Sequence, residues 1–184
     1  MTSEEHMNRK QSLKPISYLI LLTAILSTMS CSVKGSRITN WPEGGLQVTH
    51  IPLTISDVPK ELLQKMHYPY ARFYRTEVTN NTDRPVKIIW FDGYLNDHGN
   101  WFAGNVRNKV LRGSDFIDWY FHQEDMDKDG WIRPNGKAIC TVNWHWTASP
   151  EDLQIKWAYI GIDSQGNDYF VEAVVPAIKP EKLQ

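Results

Sequence analysis

The stretch Asp125-Met-Asp-Lys-Asp-Gly-Trp-Ile132 places Asp125, Asp127 and Asp129 at every second residue and follows them at once with Gly130. Alternate carboxylates around a residue free to turn sharply suit a hard cation such as calcium, which takes about six to eight oxygen ligands. The Trp131 carbonyl would add a main-chain oxygen, and Ile132 would anchor the loop in apolar surroundings. The same residues also read as an acidic, solvated turn between strands, because Asp and Gly are ordinary turn formers. Lys128 inside the stretch dilutes its negative field.

Over these eight residues the segment resembles the start of an EF-hand-type calcium loop. It departs where a bidentate Glu belongs, since that place is taken by Gly136, and Pro134 forbids a following helix. Calcium here would draw its remaining ligands from Glu124, Glu151, Asp152 or water, and would brace a loop without activating a water. The sequence offers no other centre of chemistry. It has no Gly-x-Ser-x-Gly elbow, phosphate-cradling glycine loop or His-x-x-x-His pair. His50, His67, His98, His122 and His145 are scattered singly, and Cys140 sits among apolar neighbours where a thiol is inert. Asp92 and Asp118 interrupt aromatic runs and matter as an acid pair only if the fold brings them together.

The elements that must position these residues begin after an export segment. No charge interrupts Pro15 to Val33, and its densest part, Tyr18 to Leu26, is too short for a membrane span of about 20 apolar residues. A basic start at Arg9, Lys10 and Lys14 and small residues at its end match a secretory signal over residues 1–30. Translation from Met7 would remove Glu4 and Glu5 and sharpen that signal. The run ends in Thr28-Met-Ser-Cys31, which resembles the lipobox of bacterial lipoproteins, with Thr28 where that family usually has Leu. The resemblance implies lipidation of Cys31. Ser32 in second place implies the outer membrane, facing the periplasm. The alternative is plain cleavage near Ser30, giving a secreted or soluble periplasmic chain. Residues 31–45, with Gly35, Pro42, Gly44 and Gly45, read as a flexible tether.

Residues 46–184 form one domain in this reading. With Cys31 lipidated, Cys140 has no partner in the molecule, so the fold must stand on its core. A body of roughly 150 residues buries about 68–70% of its unfolded surface, which suffices. Leu46 to Leu53 reads as a strand and Asp57 to Met66 as one short helix capped by Asp57. The rest alternates at period two. Tyr70 to Val78 places Tyr70, Tyr74, Thr76 and Val78 on one face; a second run shares Val86, Ile88, Trp90 and Tyr94. Phe116 to His122 reads as a strand. Lys137 to Thr147 places Ala138, Cys140, Val142, Trp144 and Trp146 on one side, and Leu153 to Ile162 and Tyr169 to Val175 close the series. Short strands with Asn, Asp, Pro and Gly turns between them predict an all-β, antiparallel β-sandwich. The segment Tyr74 to Trp101, with its Asn80-Asn-Thr turn, is similar to the small immunoglobulin-like domains of many bacterial lipoproteins.

The functional expectation follows by elimination. A net charge of −1 lacks the basic footprint needed for nucleic acid. Alternation assigns Trp90, Trp144, Trp146 and Trp157 to the core and leaves Trp41, Trp101 and Trp131 as the residues able to form a carbohydrate platform. The chain reads as a non-enzymatic, lipid-anchored envelope protein acting as a binding or interaction module, an accessory subunit with a protein partner. A calcium-braced glycan-binding module and an envelope hydrolase are the alternatives. The anchor has a direct test: Cys31→Ala should move the protein from the membrane fraction to the soluble fraction of whole cells, and continued membrane attachment would contradict lipidation.

Overall fold

A computed structural model of the chain describes residues 44–104, 106–120, 124–147 and 154–183. The signal segment, Cys31, the tether as far as residue 43, Trp41, His122, Glu151 and Asp152 lie outside the described residues. Among the described residues the strands are β1 (Leu46–Leu53), β2 (Tyr70–Asn80), β3 (Val86–Asp97), β4 (Asn100–Ala103) and β5 (Leu111–Arg112). They continue as β6 (Trp131–Ile132), β7 (Lys137–Thr147), β8 (Gln154–Asp163), β9 (Asp168–Val174) and β10 (Glu181–Lys182). Two helices accompany them, α1 (Lys60–Leu63) and α2 (Gly113–Tyr120).

All pairings are antiparallel, and the strands form two sheets stacked as a sandwich, the all-β architecture that the alternation predicts. In the first sheet β2 lies between β1 and β7, with β10 continuing the β1 side beyond Leu53. In the second, β3 pairs β8 and β8 pairs β9. The far side of β3 is tiled in succession by β4 against Tyr94 to Asp97, β5 against Trp90 and Phe91, and β6 against Val86 and Lys87. The chain must therefore leave and regain this edge twice, between β4 and β5 and between β5 and β6. Gly113 permits one close pass, since a Cβ there would lie 2.7 Å from the Ile88 carbonyl oxygen.

The β2–β3 turn is organised by Asn80, which is fully buried. Its amide donates to the carbonyls of Arg84, Ile132 and Arg133, and its oxygen accepts from the Thr82 N–H and hydroxyl. One asparagine thus ties the hairpin to β6. Asp163 plays the matching role at the β8–β9 turn, accepting the N–H groups of Gln165 and Asn167 and the Tyr169 hydroxyl. Those donors, with the Asn167 amide foremost, hold its carboxyl well below the usual range.

Three local readings are corrected. Residues 116–120 of the expected strand at Phe116 to His122 belong to α2, because Phe116 and Tyr120 are four apart and bury together on one helical face while Asp118 is exposed. Asp115 fixes the helix start by accepting the Arg112 N–H at 2.9 Å and pairing with Lys109. The expected helix at Asp57 to Met66 shortens to α1, entered through Pro59, and Asp57 belongs instead to a 3-10 turn, where it accepts the N–H and hydroxyl of Thr54.

The third correction concerns facing. β3 carries one extra residue at Ile89, so the register steps from Ile88 opposite Gly161 to Trp90 opposite Ile160. Phe91 turns inward and is fully buried, whereas Trp90 is left half-buried on the outer face. β7 carries a matching extra residue between Cys140 and Asn143. Ala138 and Cys140 face the interior, but Trp144 and Trp146 fall opposite Phe73 and Ala71 on the outer side. There Val142 and Trp144 join a second apolar cluster with Phe73, Val58, Leu62 and Met66, where the α1 segment covers the sheet. Trp157 is buried, as alternation requires.

Two histidines resist protonation, His50 in the interior and His145 half-buried on β7. His50 is 7% exposed; its Nδ1 lies 3.1 Å from the Thr76 hydroxyl and its ring stands edge-on to Tyr74. Burial pushes its pKa down to about 4, and burial with the nearby Arg72 charge does the same for His145. Both depressed values lie below the ordinary 6.5, so the unfolded chain takes up protons first as pH falls. Stability should be full above pH 6.5, decline as pH drops toward 4, and have lost the histidine contribution below that. For His50 alone the loss is about 3 kcal/mol. Urea midpoints between pH 7 and 4.5 should track this decline, with a shallower slope for His50→Gln; equal slopes would contradict it.

Candidate binding cleft

The two sheets close against each other on one lateral side, where β1 meets β9. On the other side β7 and the tiled edge of β3 part. Helix α2 fills the upper half of that gap, packing on both β3 and β7. The lower half is open as a cleft of about 540 Å³. Its walls include Trp119 from α2, Trp144 and Trp146 from β7, Trp157 from β8, and Tyr74 from β2. A cleft of this size with a mostly apolar, aromatic-rich lining and few polar groups has the usual make-up of a ligand site.

The Phe91 ring positions these walls. It stands edge-on to Phe116, Trp119 and Tyr120 of α2, with ring centres 5.7, 5.3 and 6.3 Å away, and stacks with Trp157 and Tyr159 of β8. Gly93 lies directly across from Trp157, and a Cβ there would touch the indole at 3.3 Å, so the glycine lets the ring lie flat against the strand. Trp157 Nε1 donates to the Tyr74 hydroxyl at 2.8 Å, tying the second sheet to the first. Burial raises the Tyr74 hydroxyl far above its ordinary range, so it stays protonated.

The polar groups of the cleft are few and tilt toward donors. Asn143 reaches the Thr76 hydroxyl at 3.4 Å and accepts the Trp144 N–H at 2.9 Å. His145 is neutral above its depressed pKa of about 4. The Arg107 guanidinium lies over the Trp119 ring, 4.7 Å from its centre, carried by a turn in which Arg107 and Asn108 both adopt positive φ. Trp119 Nε1 is buried and has no acceptor among the described residues. Among the described residues no Asp or Glu lines the cleft. Cys140 at its inner end has its thiol pushed up to about 12 by burial, which removes it as a nucleophile near neutral pH.

The residues singled out by the acidic repeat lie elsewhere. Asp125 accepts the Lys137 N–H and pairs with Arg133. Asp127 accepts the N–H groups of Asp129 and Trp131, and the Trp131 carbonyl accepts the Asp127 N–H. Asp129 and Glu124 are exposed. Among the described residues no group of three or more His, Cys, Asp or Glu side chains gathers as a metal-binding set. A cation at this loop would have to displace Arg133 from Asp125.

Asp92 and Asp118 do not form an acid pair: Asp118 is exposed on α2, and Asp92 is half-buried on the outer face of β3, where burial raises its pKa while the Gly93 N–H opposes the shift. Trp101 and Trp131 lie on the short strands β4 and β6 and are covered by cations, Trp101 by Lys156 at 4.7 Å and Trp131 by Lys87 at 6.0 Å. Arg107 and Trp119 were not picked out by the sequence reading. The four-residue spacing of Phe116 and Tyr120 was the available sign that Trp119 sits on a helix.

No family model matches the chain, and no curated protein matches it. Among solved structures, the chain is similar to a crystal structure described as an ApaA protein from Bordetella pertussis, at 14% identity and a TM-score of 0.40, covering 71% of this chain and 91% of that one. It is also similar to a second target of the same structural-genomics consortium, at 14% identity and a TM-score of 0.37, covering 75% of this chain and 83% of that one.

Proposed function

We propose that this chain is a non-enzymatic binding module of a bacterial envelope, held at the outer membrane by lipid on Cys31 and facing the periplasm. Its body serves as an accessory subunit that engages a protein partner through the cleft. The observation that carries this reading is the convergence of Trp119, Trp144, Trp146, Trp157 and Tyr74 on one opening whose lining, among the described residues, includes no carboxylate. General acid–base chemistry wants a group titrating near the working pH. Here the histidine titrates far below neutrality and the thiol far above it. The exposed lip adds to the case. Trp146 is 37% exposed and stacks on Tyr68, and Phe102, paired with Leu95 at the other rim, is 55% exposed. Aromatic side chains at the centre of a desolvated pocket are the usual energetic anchors of protein recognition.

The glycan reading has less support, because the tryptophan faces it relies on, Trp101 and Trp131, already carry lysine ammonium groups. The binding reading is tested with a photoreactive amino acid placed at Trp146 and, as control, at the exposed Lys182 on β10. Irradiation of intact cells should give a discrete adduct with another envelope protein from position 146 and none of that mass from position 182. The absence of an adduct at 146, or the same adducts at both positions, would contradict the proposal.

A further inference from the structure

The charge balance of the cleft names the chemistry of its occupant, on the reading that the cleft is the binding site. We infer that the cleft receives an apolar group bearing a carboxylate, presented by the protein partner. Aromatic walls alone are ambiguous, since they accept neutral apolar groups by burial and cations through their ring faces. The lining decides between these. One of the ring faces open to a cation, that of Trp119, is already covered by the Arg107 guanidinium. Among the described residues the lining contains no Asp or Glu to offset a second positive charge, and Asp115 of α2 is engaged by Lys109 and the Arg112 N–H, with Arg107 acting on it more weakly. A cation entering would meet the Arg107 guanidinium at the exposed rim of the cleft, where like charges repel, if less strongly than in a buried site.

An anion meets the opposite situation. Arg107 offers several N–H donors in a planar fork suited to a carboxylate, and charge-assisted bonds of this kind are about twice as strong as neutral ones. Trp119 Nε1 adds a buried donor with no acceptor among the described residues on the same wall. The neighbouring His145, unprotonated at neutral pH, adds no charge of its own. The carboxylate is therefore placed at the Arg107 end, with its apolar body against Trp157 and Trp119.

Three small probes of matched shape test this: phenylbutanoate, phenylbutanamide and phenylbutylammonium, titrated calorimetrically into the folded protein. The acid should bind best, exceeding the ammonium by about tenfold or more, the equivalent of one charge-assisted bond. Arg107→Gln should bring the acid down to the affinity of the amide while leaving the amide unchanged, and Arg107→Lys should retain part of the preference. Equal binding of acid and ammonium, or an unaltered preference in Arg107→Gln, would overturn the inference with the cleft still a binding site. Binding of none of the three would overturn the cleft reading as well. Saturating phenylbutanoate should also suppress the adduct formed from position 146. Binding of the acid without suppression would overturn the claim that the partner carries this group.

Discussion

Burial of the Phe91 ring is the contact on which the rest of the molecule depends. Its five aromatic neighbours come from α2 and β8, so it is the point at which the helix is locked into the sandwich. Each edge-on or offset contact adds about 0.5–1.5 kcal/mol beyond the area buried. Phe91 reaches this place only because β3 carries one residue too many at Ile89. Without that step Trp90 would face the interior and Phe91 the solvent, and α2 would lose the ring it packs against. The bulge is thus a device that re-aims a side chain.

The cleft is the second consequence of the same constraint. A helix held high in the lateral gap leaves the lower half uncovered, and the bulge in β7 decides what that opening contains. It turns Asn143 and His145 inward and sends Trp144 and Trp146 outward to the rim and the outer cluster. Trp157 is kept flat by Gly93 and pinned by the Tyr74 hydroxyl. The result is a rigid aromatic floor with an adjustable arginine at one side. Pre-formed walls of this kind lose little conformational entropy on binding, which favours recognition.

Much of the fold was legible in the sequence, because alternation and turn chemistry are local. β1 and the long strands at 70–80, 86–97, 137–147, 154–163 and 168–174 lie where the pattern places them, and the Asn80 turn falls where its residue types require. Facing was not legible past a bulge. One inserted residue inverts every later side chain, and nothing in Ile88-Ile89-Trp90-Phe91 marks which residue is the extra one. Helix α2 was hidden by its composition, since Phe, Ile, Trp and Tyr favour strands until tertiary packing overrides them. The cleft was hidden for a further reason. Its residues come from β2, β3, β7, β8, α2 and the Arg107 turn, which only pairing brings together. The acidic repeat drew attention by its spacing, yet its carboxylates Asp125 and Asp127 close their own loop.

The claim that Phe91 is the internal hub can be measured directly by proton NMR of the soluble body. The Phe91 ring should give cross-relaxation peaks to the Trp119 and Tyr120 rings, with Trp90 giving none to either. Contacts from Trp90 to those rings, with Phe91 silent, would place the wrong residue inside and contradict the account of both the helix and the cleft.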